Sequence, residues 1–121
     1  MARVTGIGGV FFKARDPQAL KRWYAEHLGF DLGDDGSVMF HWEDKSGLTA
    51  WEAFDADTDY FQPSTMPFMI NYRVDDLDGL LAQLRAAGVP VDDRIADYPY
   101  GRFGWAMDPE GNRIELWQPP S

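Results

Sequence analysis

Val10-Phe-Phe-Lys-Ala-Arg-Asp16, running on through Pro17-Gln-Ala-Leu-Lys-Arg-Trp-Tyr-Ala-Glu-His-Leu-Gly29, is echoed by Ile70-Asn-Tyr-Arg-Val-Asp-Asp76 and Leu77-Asp-Gly-Leu-Leu-Ala-Gln-Leu-Arg-Ala-Ala-Gly88. Each copy reads as an apolar strand, an acidic cap, a helix and a glycine stop. A weaker echo closes each half: Asp44-Lys-Ser-Gly47 before an apolar run answers Asp108-Pro-Glu-Gly111 before Asn112-Arg-Ile-Glu-Leu-Trp117. A duplication of this length predicts two similar modules packed together, with a ligand hollow between them.

Working outward, residues 6–14 form a mostly apolar strand, and Asp16 with Pro17 supplies an N-cap and first helical turn. Leu20, Trp23, Tyr24 and Leu28 recur at helical spacing, with Lys21, Arg22 and Glu26 on the wet side, until Gly29 ends the helix. Residues 30–32, 38–43 and 48–54 then read as strands joined by tight turns at Asp34-Asp-Gly36 and Asp44–Gly47. That is a βαβββ module over 4–54. The acidic segment 55–67 carries two prolines and no period, so it reads as a linker. The order repeats over 68–118: strand 68–74, helix 76–87, strands near 89–94, at 102–107 and at 112–118. The expected fold class is α+β, two tandem βαβββ modules forming a curved mixed sheet around a central cavity.

Composition narrows the function classes. With 121 residues the chain fits a single domain whose halves would be marginal alone. A net charge of −9 argues against nucleic-acid or anionic-membrane partners, which need clustered Lys and Arg. The absence of cysteine excludes disulfides, thiolate catalysis and Cys-ligated zinc. No signal-peptide core and no apolar run near the ~20 residues of a membrane span is present, so a soluble cytoplasmic protein is expected. Aromatic residues reach 15%, with five Trp, which suits a packed core or an aromatic-lined pocket.

The paired modules, the first strand running into Asp-Pro, the Leu28-Gly-Phe30 helix end and the final Met107-Asp-Pro-Glu-Gly-Asn-Arg-Ile-Glu-Leu116 hairpin resemble the vicinal oxygen chelate superfamily, the glyoxalase, bleomycin-resistance and extradiol-dioxygenase group. The resemblance covers nearly the whole chain. It implies a fold that hosts metal-dependent lyases, isomerases and dioxygenases as well as metal-free drug-sequestering proteins. It also implies four ligand positions around one divalent cation, which map here onto Gly9, Trp51, Met69 and Glu115. Of these only Glu115 can ligate a hard cation, and one carboxylate does not hold a catalytic metal. No cofactor is therefore expected, a divalent metal being the minority alternative with Glu115 as its ligand.

Strand alternation turns Phe11 and Lys13 to the same side as Gly9, and Asn71 and Arg73 to the same side as Met69, leaving Val10, Phe12, Ala14, Ile70, Tyr72 and Val74 beneath the helices. The resemblance adds Trp105, ten residues before Glu115, and glycine alignment makes His41 its first-half counterpart. The candidate site thus comprises Glu115 and His41 as acid–base groups, Phe11, Trp51, Met69 and Trp105 as walls, and Lys13, Asn71 and Arg73 as polar anchors. Lys13 and Arg73 would favour an anionic ligand. Each residue also has a plain role: Glu115 as a paired structural carboxylate, His41 as a surface residue, the tryptophans as filler. The Tyr-rich stretch Asp97–Arg102 reads as a lid or a simple turn.

Three readings of function stay open: a metal-free protein enclosing a small aromatic or anionic molecule, a glyoxalase-like lyase, isomerase or dioxygenase using Glu115, and a filled hollow acting through a partner. The resemblance further implies a homodimer.

Overall fold

The computed structural model describes residues 3, 7, 9–42 and 47–120. The Asp44–Gly47 turn and the outer residues of the expected strands 6–14 and 38–43 lie largely outside them. Two helices, α1 (Pro17–Leu28) and α2 (Leu77–Ala86), cover one face of a four-stranded sheet: β1 (Ile70–Arg73), β2 (Ala96–Tyr98), β3 (Gly101–Met107) and β4 (Arg113–Gln118). The strand order is β1-β4-β3-β2, parallel for β1 with β4 and antiparallel elsewhere, so the sheet is mixed and open.

The second half follows its sequence closely. Asp76 caps α2 by accepting from the Gly79 backbone N–H at 3.1 Å, as Asp16 caps α1 through Ala19 at 3.1 Å. The expected strand near 89–94 shrinks to one bridge, Val91 to Ala106. Pro90 lies in that stretch and has no N–H to donate to a ladder. Among the described residues the first half contributes α1 and segments without regular structure but no paired strand, with Phe11 97% and Trp42 90% exposed.

Pairing registers divide the sheet into two faces, because residues directly opposite on neighbouring strands point the same way. Ile70, Tyr72, Ile114, Leu116, Gly104 and Ala106 form the face under the helices. There Leu20 and Tyr24 of α1 and Leu77, Leu81 and Leu84 of α2 close the core. Each buried leucine contributes about 1.5–3 kcal/mol through removal of apolar surface from water. Gly104 lets α2 sit this close: a Cβ there would lie 3.0 Å from a Leu81 methyl.

Both helix starts are fastened from the ends of β4. Glu110, in the turn before it, accepts the Arg15 and Asp16 backbone N–H groups, each at 3.0 Å, and Gln118, its last residue, accepts the Leu77 N–H at 2.8 Å. The turn itself is organised by buried Asp108, whose carboxylate accepts from the Tyr24 hydroxyl at 2.8 Å, the Glu110 and Asn112 backbone and the Asn112 amide. Burial, helped by the Tyr72 and Asp108 neighbours, pushes the Tyr24 hydroxyl's pKa far up, so it stays a donor.

Candidate functional site on the open sheet face

The other face of the sheet carries two lateral rows. Asn71, Glu115 and Trp105 stand side by side on β1, β4 and β3, and Arg73, Trp117 and Phe103 form the next row. Glu115 is 8% exposed, yet the groups that bond it are neutral donors. Asn71 Nδ2 donates to Oε1 at 2.8 Å, while Trp105 Nε1 and the Tyr60 hydroxyl donate to Oε2 at 2.9 and 2.6 Å. Three such bonds satisfy a carboxylate whose burial would otherwise be costly. Burial and the bond to Glu115 raise the Tyr60 pKa, which keeps that phenol protonated.

Trp105, 1% exposed, also packs against two guanidinium groups, Arg94 at 5.3 Å and Arg113 at 5.2 Å from its ring centre. Asp92 holds Arg113 at 3.3 Å. The Arg94 backbone N–H, then Arg113, keep the Asp92 carboxyl below its usual range. Beyond Trp105 the face is aromatic: Phe103 stacks on Trp117 at 6.2 Å, Tyr98 stacks on Tyr100 at 5.1 Å, and both tyrosines meet Phe103 edge-on.

The Asp97–Arg102 stretch is a tight β2–β3 hairpin. Trp117 Nε1 donates to the Tyr100 carbonyl at 2.9 Å, and Arg102 pairs with Asp97 and Asp78, both at 2.8 Å. Gly101 sits at φ 135°, where a side chain would be strained and would strike the Trp117 indole nitrogen. The segment therefore stands as an aromatic wall fixed to β4.

Of the residues singled out by sequence, Glu115, Asn71 and Trp105 are in direct hydrogen-bonded contact. Arg73 lies in the adjacent row, exposed, with a long 3.4 Å bond to the Leu48 carbonyl, and Met69 is half-buried just before β1. The first-half candidates stand apart. Phe11 and Trp51 are exposed at 97% and 78%, Lys13 is exposed, and His41 lines a shallow hollow of about 370 Å³ with Asp31, Gly33, Ser37 and Met39.

Sequence reasoning missed Tyr60, Phe103 and Trp117, and singled out Tyr98 and Tyr100 only as part of the Asp97–Arg102 stretch. The period-two rule already contained Phe103 and Trp117, two positions from Trp105 and Glu115. Tyr60 carried no local signal, since it lies in the segment read as a linker. Among the described residues no three His, Asp or Glu side chains gather as a metal site. No described helix is long and apolar enough to cross a membrane.

Two helices on one face of an open mixed sheet, with the terminal Asp-Pro-Glu-Gly-Asn hairpin at its centre, define the vicinal oxygen chelate fold. The family model "Glyoxalase/Bleomycin resistance protein/Dioxygenase superfamily" matches residues 6–116, and the chain belongs to that superfamily. Among solved structures it is similar to TnmS3, an antibiotic binding protein from Streptomyces sp. CB03234, at 28% identity and TM-score 0.64 over 99% of this chain and 100% of that one. It also resembles a glyoxylase/bleomycin resistance protein/dioxygenase domain from Frankia sp. EAN1pec, at 19% identity and TM-score 0.60, with 98% and 95% covered. An integron cassette protein from the mobile metagenome of V. Cholerae shares the fold at 13% identity and TM-score 0.61, with 98% of each chain covered. No curated protein matches the chain significantly.

Proposed function

We propose that this protein binds a small organic molecule with aromatic character on the open face of its sheet, without a resident metal, and that it works as a homodimer. The observation that carries the reading is the connected aromatic set of Phe103, Trp117, Tyr98 and Tyr100, beside buried Trp105 on the face the helices leave uncovered. Offset and edge-on contacts with such rings contribute about 0.5–1.5 kcal/mol each beyond the area they bury. Exposed Arg73 beside Trp117 gives that surface a place for a ligand carboxylate. Full-length similarity to an antibiotic binding protein points the same way.

The donor set supports the metal-free part. Both Glu115 oxygens already accept hydrogen bonds, and the other three positions expected to ligate hold Gly9, Trp51 and Met69, which offer a cation no hard donor. The dimer reading rests on the first half. Phe11, Met39, Phe40, Trp42, Leu48 and Trp51 are all exposed apolar side chains of the first half, and a second copy of this chain would bury them. We read the segments that carry these residues as the strands of the first module, paired only in the assembled protein.

Titration of a panel of planar aromatic compounds, with and without a carboxylate, against intrinsic Trp fluorescence tests the ligand reading. Saturable quenching that disappears in a Phe103→Ala/Trp117→Ala variant is expected; an indifferent response to the whole panel refutes it. Calorimetric titration of chelator-stripped protein with Mn²⁺, Fe²⁺, Ni²⁺, Co²⁺ and Zn²⁺ should give no tight site, and a one-per-chain site lost in Glu115→Ala would overturn the metal-free part. Sedimentation equilibrium should show a dimer that dissociates in Trp42→Asp/Trp51→Asp.

A further inference from the structure

We infer that the pocket beside Glu115 takes the phenol of a hydroxylated aromatic molecule, and that Tyr60 fills that place when no ligand is bound. The inference rests on the reading of the open face as the ligand surface and names the chemistry it selects. Tyr60 belongs to a strap, residues 55–67, that folds back over the sheet through short turns, Thr58 N–H to the Asp55 carbonyl at 3.0 Å and Gln62 N–H to that of Asp59 at 3.1 Å. The strap is pinned beyond Tyr60 by the Ser64 hydroxyl, which donates to the Gly111 carbonyl at 2.7 Å.

Within this frame the Tyr60 ring has the contacts a bound aromatic would have. It stacks on Phe54 at 5.4 Å with a 12° tilt, meets Trp105 edge-on at 6.2 Å and 89°, and places its hydroxyl 2.6 Å from Glu115 Oε2. The acceptor is built into the sheet, because Asn71 and Trp105 hold the carboxylate in orientation from both neighbouring strands. Tyr60 is the one of the three donors that arrives from outside the sheet. It is only half-buried and its partner Phe54 is 47% exposed, so the ring has a free path outward.

A replacement must bring an aromatic ring and an O–H. An ether or a methyl group leaves Oε2 short of a donor, and a carboxylate meets the Glu115 charge. Sites that hydrogen-bond a ligand hydroxyl discriminate strongly against the analogue lacking it.

The probes are 2-naphthol and 2-methoxynaphthalene, which differ in the donor alone, titrated calorimetrically into wild type, Tyr60→Phe, Tyr60→Ala and Glu115→Leu. The naphthol should bind wild type about tenfold more tightly than the ether, as one unmade bond to a buried charged acceptor implies. Tyr60→Phe loses the bond that seats the ring, and Tyr60→Ala loses the ring, so both should bind naphthol more tightly than wild type. Glu115→Leu should erase the preference for naphthol over the ether. Tyr60→Phe keeps the strap's packing and carries the test if the alanine variant folds poorly. Equal affinity for the two probes overturns the phenol assignment while the aromatic-surface reading stands. Weaker naphthol binding in both Tyr60 variants makes Tyr60 a wall of the site and overturns its placeholder role. Failure of both probes to bind any of the four proteins overturns the inference, and the wider panel then decides whether the surface binds aromatics at all.

Discussion

Replacing Glu115 by alanine and by glutamine separates what the carboxylate's shape contributes from what its charge contributes. In Glu115→Ala, Trp105 Nε1 loses the carboxylate it donates to in a fully buried setting, a loss that costs about 1–3 kcal/mol. The Tyr60 hydroxyl and the Asn71 amide reach water more easily, so together they add only about 1 kcal/mol, and the missing stem adds a comparable packing loss. The expected destabilisation is about 3–5 kcal/mol, or about 12–20 °C in Tm at about 4 °C per kcal/mol for a chain of this size. In Glu115→Gln the carbonyl can keep both Tyr60 and Trp105, while the new amide faces Asn71 Nδ2, which must turn its own carbonyl inward. The loss is then the charge assistance of two bonds, offset by a smaller burial penalty, and comes to about 1 kcal/mol. Calorimetric melting and urea unfolding of both variants should rank them wild type, Gln, Ala, with a gap of about 8 °C or more between the substitutions. An alanine variant as stable as wild type, or a glutamine variant as unstable as alanine, would refute the view that three neutral donors hold this carboxylate.

Asp108→Ala strips the acceptor from Tyr24, the Asn112 amide and the turn backbone, and unfolding should show a loss of about 3–5 kcal/mol, as several neutral donors left unsatisfied together imply. Gly101→Ala places a Cβ against the Trp117 indole nitrogen and 2.6 Å from the Gln118 carbonyl in a left-handed conformation, so it should cost about 2–4 kcal/mol and disturb the near-ultraviolet Trp signal. The Glu110 carboxyl is held below its usual range, chiefly by the Arg15 and then the Asp16 backbone N–H groups. A lowered folded pKa means that its contribution is complete above the ordinary glutamate pKa and is lost as pH falls through the folded value. The Tm difference between wild type and Glu110→Gln should hold steady from neutrality down to about pH 5.5 and shrink below about pH 4.5.

Much of this architecture is written in local periodicity. The 3.6-residue spacing of Leu20, Trp23, Tyr24 and Leu28 gave α1, the Asp76 cap gave the start of α2, and alternation put Ile70 and Tyr72 under the helices and Asn71 on the open face. Glu115 and Trp105 were reachable through the family resemblance, and Asn71 through strand alternation beside Met69. Tyr60 was not, because a segment without a period carries no local record of what it packs against, and its place depends on Ser64 reaching Gly111, 47 residues away. The first-half segments illustrate a different limit. Their alternation reads as strand, but a strand exists only with a partner, and sequence pattern does not say whether that partner is in the same chain.

The two clasps at the ends of β4 also bear on register fidelity. A slip of β4 by two residues would leave every side chain on its proper face, so hydrophobic burial alone barely opposes it. The same slip would carry Glu110 about 6–7 Å from the α1 start and Gln118 an equal distance from Leu77, since each strand residue advances about 3.3 Å. Both helix starts would lose their acceptors at once. The alignment that places Glu115 between Asn71 and Trp105 is thus checked at two remote points by groups that never touch the site.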